Sequence, residues 1–412
     1  MRLVKQIFIK KSDPCYKEYD NFLWLSKNLY NATNYQVRQE FINNGKYLNF
    51  NTMNKKFIAE DQYDFRQLPS NVATYTQRLV HESWKSFFAL NKKYKNGELE
   101  LKPGLPKYLH KTNGRQVAVF TKRVISYKRL RDGFLKLCGI AHQMEVPKDL
   151  KINQVRIVPK INGIVLEIVH TIKEPKLKKT GKIASGDLGI DNLIAVGGTE
   201  GMKPALFNGK PLKSINQYYN KKKAELQSKI PSRSKRKQSK KIAVLTEKRN
   251  HKVKDYLHKI SSMVVNYLVS NNVKRFVVGY NKRWKQGINI GKVNNQKFVS
   301  IPYLMFVNML RYKCAMVGIK VETVNESYTS KCSFLDNEPM CKHKTYMGRR
   351  VHRGLFKSST GQLINADINA AYNILRKVIG KFNYNPIEVC GTPTVFTVKS
   401  SPRRRKKSLY FC

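Results

Sequence analysis

Carboxylates are scarce in this chain, with 27 Asp and Glu against 79 Lys and Arg, a formal net charge of +52 over 412 residues. An acid set among glycines and apolar residues therefore needs a chemical reason. Asp187 is such an acid, lying in Ile183-Ala-Ser-Gly-Asp187-Leu-Gly189-Ile-Asp191. Asp367 is another: it opens a late amphipathic segment beside Ala366 and Ala370, whose small side chains let the turn approach another backbone closely. Carboxylates brought together from separate elements hold two divalent ions about 3.5–4 Å apart, which activates water and stabilises the leaving oxygen of a phosphodiester. Mg²⁺ suits such oxygen ligands because it keeps several waters and takes up substrate phosphate oxygens. Strand-end acids occur in α/β proteins of every kind, so spacing alone leaves other chemistry open.

Periodicity supplies a scaffold for these acids. Residues 183–196 read as two short strands around a turn, with Asp187 on the first. Val253, Leu257, Ile260, Val264, Tyr267 and Leu268 recur at helical spacing and predict a long helix that stops at Asn271-Asn272. A strand at Arg275–Gly279, a helix at Ile301–Val317 and a strand at Ile319–Val324 make a β-α-β unit, the helix having Pro302 in its first turn and Gly318 at its end. A last helix runs from near Asn365 to about Val378 and buries Ile368, Ala371, Tyr372, Leu375 and Ile379. Paired strands with an Asp on the first, a β-α-β unit and a late helix with an Asp at its start are what a ribonuclease H-type nuclease needs. Upstream, residues 3–10 read as a strand and the pattern turns helical from about residue 18. Leu79, Val80, Trp84, Phe87 and Phe88 form a packing stripe, and the prolines and glycine of 99–107 end the helices. Strands at Ile152–Val158 and Ile164–Thr171 flank Asn162-Gly163, a dipeptide expected to supply the positive φ angles of a tight hairpin. A helical block thus interrupts a β unit.

The cationic excess needs a polyanion. Apolar residues make up 41% and aromatics 11%, including 22 Tyr and 19 Phe, so the chain folds and carries its cations on a surface suited to phosphates and unpaired bases. Residues 221–241 hold ten Lys and Arg against the single Glu225; a solvated face and a nucleic-acid contact are both open readings of that run. No stretch approaches the ~20 apolar residues of a membrane span and the N-terminus lacks a secretory apolar run, so a soluble, cytoplasmic, nucleoid-associated protein is expected, with no membrane partner. The seven cysteines are odd in number and scattered, which predicts reduced thiols. A ribosomal role is a rival that the chain's size and carboxylates argue against.

Four segments in order, Asp187-Leu-Gly-Ile-Asp-Asn-Leu, Gly279-Tyr-Asn-Lys-Arg-Trp284-Lys-Gln, Glu326-Ser-Tyr-Thr-Ser-Lys-Cys and Asn365-Ala-Asp367-Ile-Asn-Ala-Ala-Tyr-Asn-Ile, together resemble the RuvC-type nuclease core of the TnpB family. These are transposon-encoded, RNA-guided DNA endonucleases related to compact type V CRISPR effectors. The resemblance extends upstream through Lys102-Pro-Gly-Leu-Pro-Lys-Tyr and the helix carrying His258-Lys259. It implies a multidomain α+β fold, a RuvC/RNase H-like α/β nuclease core plus a β-barrel wedge domain with an inserted helical recognition lobe. The expected boundaries are 1–14 and 100–180 for the split wedge, 15–99 for the recognition lobe and 181–379 for the nuclease. Within the nuclease, 327–362 is a target-nucleic-acid-binding insert at a degenerate zinc-ribbon position, and 380–412 is a basic, disordered tail.

Carried over by motif, Asp187 and Asp367 correspond to the first and third catalytic carboxylates, ligands of two Mg²⁺ ions. Many relatives place the second, a glutamate, at the end of the strand that here reads Phe276-Val-Val-Gly279-Tyr. Glu326 resembles the relocated glutamate of other members, with Glu322 a second candidate, and neighbouring strands lie about 4.8 Å apart, within reach of a long side chain. Relatives also carry two Cys-x-x-Cys pairs, where this chain offers only Cys332, Cys341, His343 and His352, so no zinc is expected. The expected nucleic-acid contacts are Lys221, Lys222, Lys223, Arg233, Lys235, Arg236, Lys237, Lys240, Lys241, Trp284, Arg349, Arg350 and Arg353. The implied partners are a guide RNA and double-stranded target DNA with a short flanking motif. The alternatives are a nuclease-dead RNA-guided DNA-binding repressor and a DNA-strand transposase, for which no Tyr or Ser nucleophile stands out.

Overall fold

The computed structural model describes residues 1–148, 150–199, 201–231, 239–281 and 291–398. The chain divides into two compact units, Met1–Lys173 and the residues from Glu174 onward.

The first unit opens with strand β1 (Arg2–Lys10), then helices α1 (Tyr16–Asn44), α2 (Phe50–Ala59), α3 (Tyr63–Arg66) and α4 (Ser70–Lys95). Strand β2 (Ala118–Thr121), helix α5 (Tyr127–Arg131) and strands β3 (Phe134–Lys136), β4 (Gln143–Glu145), β5 (Lys151–Lys160) and β6 (Gly163–Thr171) complete it. The expected strand, helical block and returning β unit are therefore all present. Trp84 of α4 is fully buried, and its indole Nε1 donates to Asn34 Oδ1 of α1 (2.9 Å), so the one polar atom of that side chain is satisfied in the core. Strands run in the order β1-β6-β5-β2, each pair antiparallel.

Two expectations change here. The sheet is open: β3 and β4 pair with each other in a separate ribbon, and no closed barrel forms among the described residues. Three-residue strands are too short to continue the ladder around. The β5–β6 hairpin turns at Ile161-Asn162, Lys160 pairing with Gly163, and neither Asn162 nor Gly163 takes a positive φ. Gly163 is instead required by crowding, because a Cβ there would lie 2.3 Å from Ile9 O.

The second unit runs β7 (Lys182–Leu188), β8 (Asn192–Gly198), β9 (Ala205–Asn208), α6 (Lys210–Ser228), α7 (Lys240–Ser270), β10 (Val273–Gly279), α8 (Lys292–Val299), α9 (Tyr303–Ala315) and β11 (Lys320–Val324). A small sheet, β12 (Arg349–His352), β13 (Leu355–Lys357) and β14 (Leu363–Asn365), precedes α10 (Ala366–Ile379), α11 (Pro386–Cys390) and β15 (Thr394–Phe396). The main sheet has the order β11-β10-β7-β8-β9-β15; β7, β8 and β9 are antiparallel neighbours, while β10 and β11 join parallel to β7. Its two faces alternate with the pleat. Ile194 and Val196 pack with α7 and α9, whereas Ala195 and Leu206 pack with Ile368, Tyr372 and Leu375 of α10. Residues 380–398 depart from the expected tail, since β15 pairs with β9 and Phe396 stacks on Phe207 at 4.8 Å. A three-residue strand leaves no period to read in a sequence. The basic run 399–407 lies outside the described residues.

Candidate active site

Asp187 is the sixth residue of β7 and shares a face with Ser185 by the period-two rule. That face meets α10, because Ser185 Oγ donates to Ala371 O (2.6 Å) and a Cβ on Gly197 would touch the Tyr372 ring at 3.1 Å. The small residues of strand and helix draw α10 onto the sheet. Asp367 sits in the helix's first turn, where Asn365 Oδ1 caps the N–H groups of Asp367 and Ile368. Its Oδ2 accepts from Asn192 Nδ2 of β8 at 2.8 Å. Asp187 and Asp367 thus share one edge of the sheet.

Glu326 reaches the same edge from the turn after β11. Glu326 N donates to Asn281 Oδ1 (3.1 Å), and Lys377 of α10 donates to Asn325 O (3.1 Å) and Ser327 O (2.5 Å). The turn is anchored on both sides of the glutamate. Its side chain lies over Gly279, the last residue of β10: a Cβ built there would be 2.9 Å from Glu326 Oε2 and 3.2 Å from Glu326 Cβ. Glu322 is committed elsewhere, bound to Arg275 (Nε 2.9 Å) and to Lys320 (2.7 Å). Those bonds hold its carboxyl below the ordinary range.

Electrostatics follow from this crowding. Burial, then Glu326 and Asp367, push Asp187 well above the usual carboxylate range, with Arg350 opposing. Burial pushes Glu326 up to about 7 against the pull of Lys377. Tyr303, buried on α9, donates to Gly189 O (2.9 Å), and burial with the nearby Asp187 and Glu326 raises its hydroxyl. Arg350 of β12 stands 3.7 Å from Asp367 Oδ1, and Arg353 meets Asp191 Oδ2 at 2.8 Å. Burial tends to raise Asp191, but the Lys213 hydrogen bond and Arg353 hold it low.

Among the described residues no group of three or more His, Cys, Asp or Glu side chains is placed to hold a metal ion. The donors nonetheless fit a hard divalent cation. They are all carboxylate oxygens, and Glu326 Oε2 is buried with no hydrogen-bond partner. In the insert, Cys332 is buried with Sγ against Pro339 O (3.4 Å), while Cys341 Sγ lies 3.4 Å from His343 Nε2. A fully buried carboxylate sits between them: Glu338 accepts from Ser333 N (2.7 Å) and Met347 N (2.9 Å). Asn369, Asn373 and Arg376, one face of α10, hold the same segment through Cys332 O, Thr329 O and Asn337 Oδ1.

Of the expected nucleic-acid residues, Lys221, Lys222 and Lys223 lie on α6, Lys240 and Lys241 open α7, and Arg349, Arg350 and Arg353 surround the β12–β13 turn. Lys222 bonds Glu225 (2.8 Å). Arg233, Lys235, Arg236, Lys237 and Trp284 lie outside the described residues. Sequence reasoning missed Asn192, Tyr303, Glu338 and Lys377 as parts of the site and its supports; only Asn192, inside the Asp187 segment, carried a signal.

Residues 145–285 match the OrfB_IS605 family, described as a probable transposase, and residues 303–374 match the Cas12f1-like TNB domain. The second match includes both Glu326 and Asp367. The TnpB-like protein ORF457 of Acidianus two-tailed virus is 25% identical over 401 residues, covering 86% of this chain and 82% of that protein. The chain belongs to the TnpB family. This TnpB-family chain is also 27% identical over 177 residues to the TnpB-like protein MJ0751 of Methanocaldococcus jannaschii, covering 40% of this chain and 57% of that one. A solved Cas12f1–sgRNA–target DNA complex aligns over 87% of the chain and 82% of its own at 15% identity and TM-score 0.49. The mini-RNA-guided endonuclease CRISPR-Cas_phi3 aligns over 92% and 93% at 9% identity and TM-score 0.45. No described helix of the TnpB-family chain is long and apolar enough to cross a membrane.

Proposed function

We propose that this chain is a transposon-associated, RNA-guided DNA endonuclease in which Asp187, Glu326 and Asp367 form the catalytic site. The observation that carries the reading is Glu326 Oε2, buried and unpartnered over Gly279, at the sheet edge where Asp187 and Asp367 also meet. The strand order, three antiparallel neighbours followed by two parallel additions, supports a ribonuclease H-like core. The family supports the partners, a guide RNA and double-stranded target DNA with a short flanking motif. On this reading the first unit provides wedge and recognition lobe, 181–379 the nuclease and 327–362 the target-binding insert. Lys221–Lys223, Arg233, Lys235–Lys237, Lys240, Lys241, Trp284, Arg349, Arg350 and Arg353 contact nucleic acid.

The three carboxylates would hold two Mg²⁺ ions, which when bound supply a nucleophilic water and charge stabilisation at the scissile phosphate. The chain's own residues set up that site. Asn192 orients Asp367, Asn281 and Lys377 hold the Glu326 turn, and Arg350 sets a positive charge at the cleft to receive phosphate. The raised proton affinities of Asp187 and Glu326 in the metal-free protein are those of acids that lose their protons when a cation arrives.

A second reading, the nuclease-dead repressor, is favoured by glycine at 279, where many relatives have glutamate. Co-expression with the flanking locus, followed by incubation of the purified complex with matched DNA and Mg²⁺, separates the two. Cleavage dependent on guide and metal supports the endonuclease; tight, guide-dependent binding without cleavage in Mg²⁺ or Mn²⁺ supports the repressor.

A further inference from the structure

Two neighbouring stripes of α1 border one segment of the chain. On the first, Lys27, Asn31, Asn34 and Arg38 follow one another at helical spacing and hold the backbone of residues 106–111. Lys27 Nζ donates to Lys111 O (2.7 Å), Asn31 bonds both O and N of Leu109 (2.9 Å each), and Asn34 and Arg38 both donate to Pro106 O (3.1 and 2.8 Å). So many side-chain donors make this strap a fixed wall rather than a loose loop.

The second stripe, Asn28, Ala32 and Tyr35, lines a cavity of about 600 Å³ together with Lys27 and Asn31 of the first stripe, Asp64, and Tyr108, Leu109 and Lys111 of the strap. That volume is in the range of small-ligand sites. Arg38 lies over the Tyr108 ring, 5.1 Å from its centroid, yet the residue remains 43% exposed, and Tyr35 is 52% exposed. Residues 102–111 carry Lys102, Lys107 and Lys111 and no acid. Open aromatic rings beside a rigid, cationic backbone segment are the parts of a stacking site for unpaired bases.

We propose that this cavity accepts one unpaired nucleobase of a single strand, stacked on Tyr108 and Tyr35, with flanking phosphates on the strap lysines. The assignment rests on the nucleic-acid partner proposed above but not on the carboxylates. A duplex cannot use the site without extruding a base, whereas a single strand offers one directly.

The test uses the full chain and three probes carrying 5-iodouracil: single-stranded RNA and single-stranded DNA of roughly twelve nucleotides, and the corresponding DNA duplex. Irradiation should crosslink Tyr108 or Tyr35 to a single-stranded probe and not to the duplex, and the productive strand identifies RNA or DNA as the source. Tyr108→Ala should weaken that strand's binding about tenfold, the size of one base–aromatic stack, while Tyr108→Phe keeps it and duplex affinity stays unchanged. Tyr108 is exposed, so neither variant threatens the fold; Tyr35→Ala repeats the test from the helix side. Crosslinks that map only elsewhere, or equal losses for single strand and duplex, would overturn the proposal. A chain that makes these crosslinks but does not cut DNA would refute the nuclease reading and leave this one standing.

Discussion

Gly279 and Glu326 cannot both carry a side chain in the same space. The Cβ that residue 279 lacks would fall 2.9 Å from Glu326 Oε2, tighter than real Cβ contacts, with Ile374 Cδ1 closing the other side at 2.5 Å. On the proposed reading, the end of β10 and the turn after β11 are alternative origins for one carboxylate. Glu326→Ala should therefore lose cleavage, and Gly279→Glu added to it should recover about tenfold or more of the lost rate, roughly 1.4 kcal/mol in the barrier. Gly279→Glu alone should impair the enzyme by crowding. Single-turnover cleavage rates check all three, and failure of the double variant to exceed Glu326→Ala would count against the shared position.

The Glu326 carboxyl predicts a pH effect in the metal-free protein. Its folded value of about 7 exceeds its ordinary 4.5, so between those limits the folded state binds more protons than the unfolded state. Stability then falls as pH rises through that window, and Asp187, also raised, acts in the same direction. Glu326→Gln copies the protonated form and should melt above wild type near pH 8, with the difference closing toward pH 5. Melting curves in chelator check this; a wild-type protein as stable as the Gln variant at high pH would contradict it.

Lys377 tests positioning. Its ammonium ties α10, which carries Asp367, to the backbone on both sides of Glu326. Lys377→Met should lower kcat about tenfold while leaving target affinity near wild type, since it touches the turn rather than the DNA. Lys377→Arg should recover part of the loss. A change in affinity with kcat preserved would show that Lys377 contacts nucleic acid instead.

Glu338 takes the central place in the insert. It bonds the backbone at Ser333 and Met347 from a fully buried position, so Glu338→Ala leaves two N–H groups unsatisfied at a cost of about 2–4 kcal/mol. The melting temperature should drop in that variant, whereas chelation of zinc from wild type should leave it unchanged. Stoichiometric zinc lost on replacing Cys332 and Cys341 would reverse this account.

The elements that set the carboxylates were legible because each carried a long period or a strong punctuation mark. α7 showed its stripe from Val253 to Leu268, Asn271 and Asn272 marked its end, and Asp367 stood out as the one acid of an amphipathic helix, placed in its first turn. Short elements did not declare themselves, as with β15, and the open sheet of the first unit depends on which strands pair, a property no local pattern carries. Gly163 was flagged for the wrong reason: crowding against Ile9 is a tertiary fact. Nothing in the sequence marked Glu338 or Lys377: Glu338 bonds backbone N–H groups of the irregular segment around it, and Lys377 bonds carbonyls far away in sequence.

The central claim is that Asp187, Glu326 and Asp367 act as one site, and single-turnover cleavage of guide-matched DNA by the intact ribonucleoprotein tests it most directly. Each residue changed singly to Ala should slow cleavage on the order of 10³-fold, about 4 kcal/mol, with target binding nearly unchanged, while Glu322→Ala cuts like wild type. Full cleavage by Glu326→Ala, with Asp187→Ala and Asp367→Ala inactive, would contradict the claim.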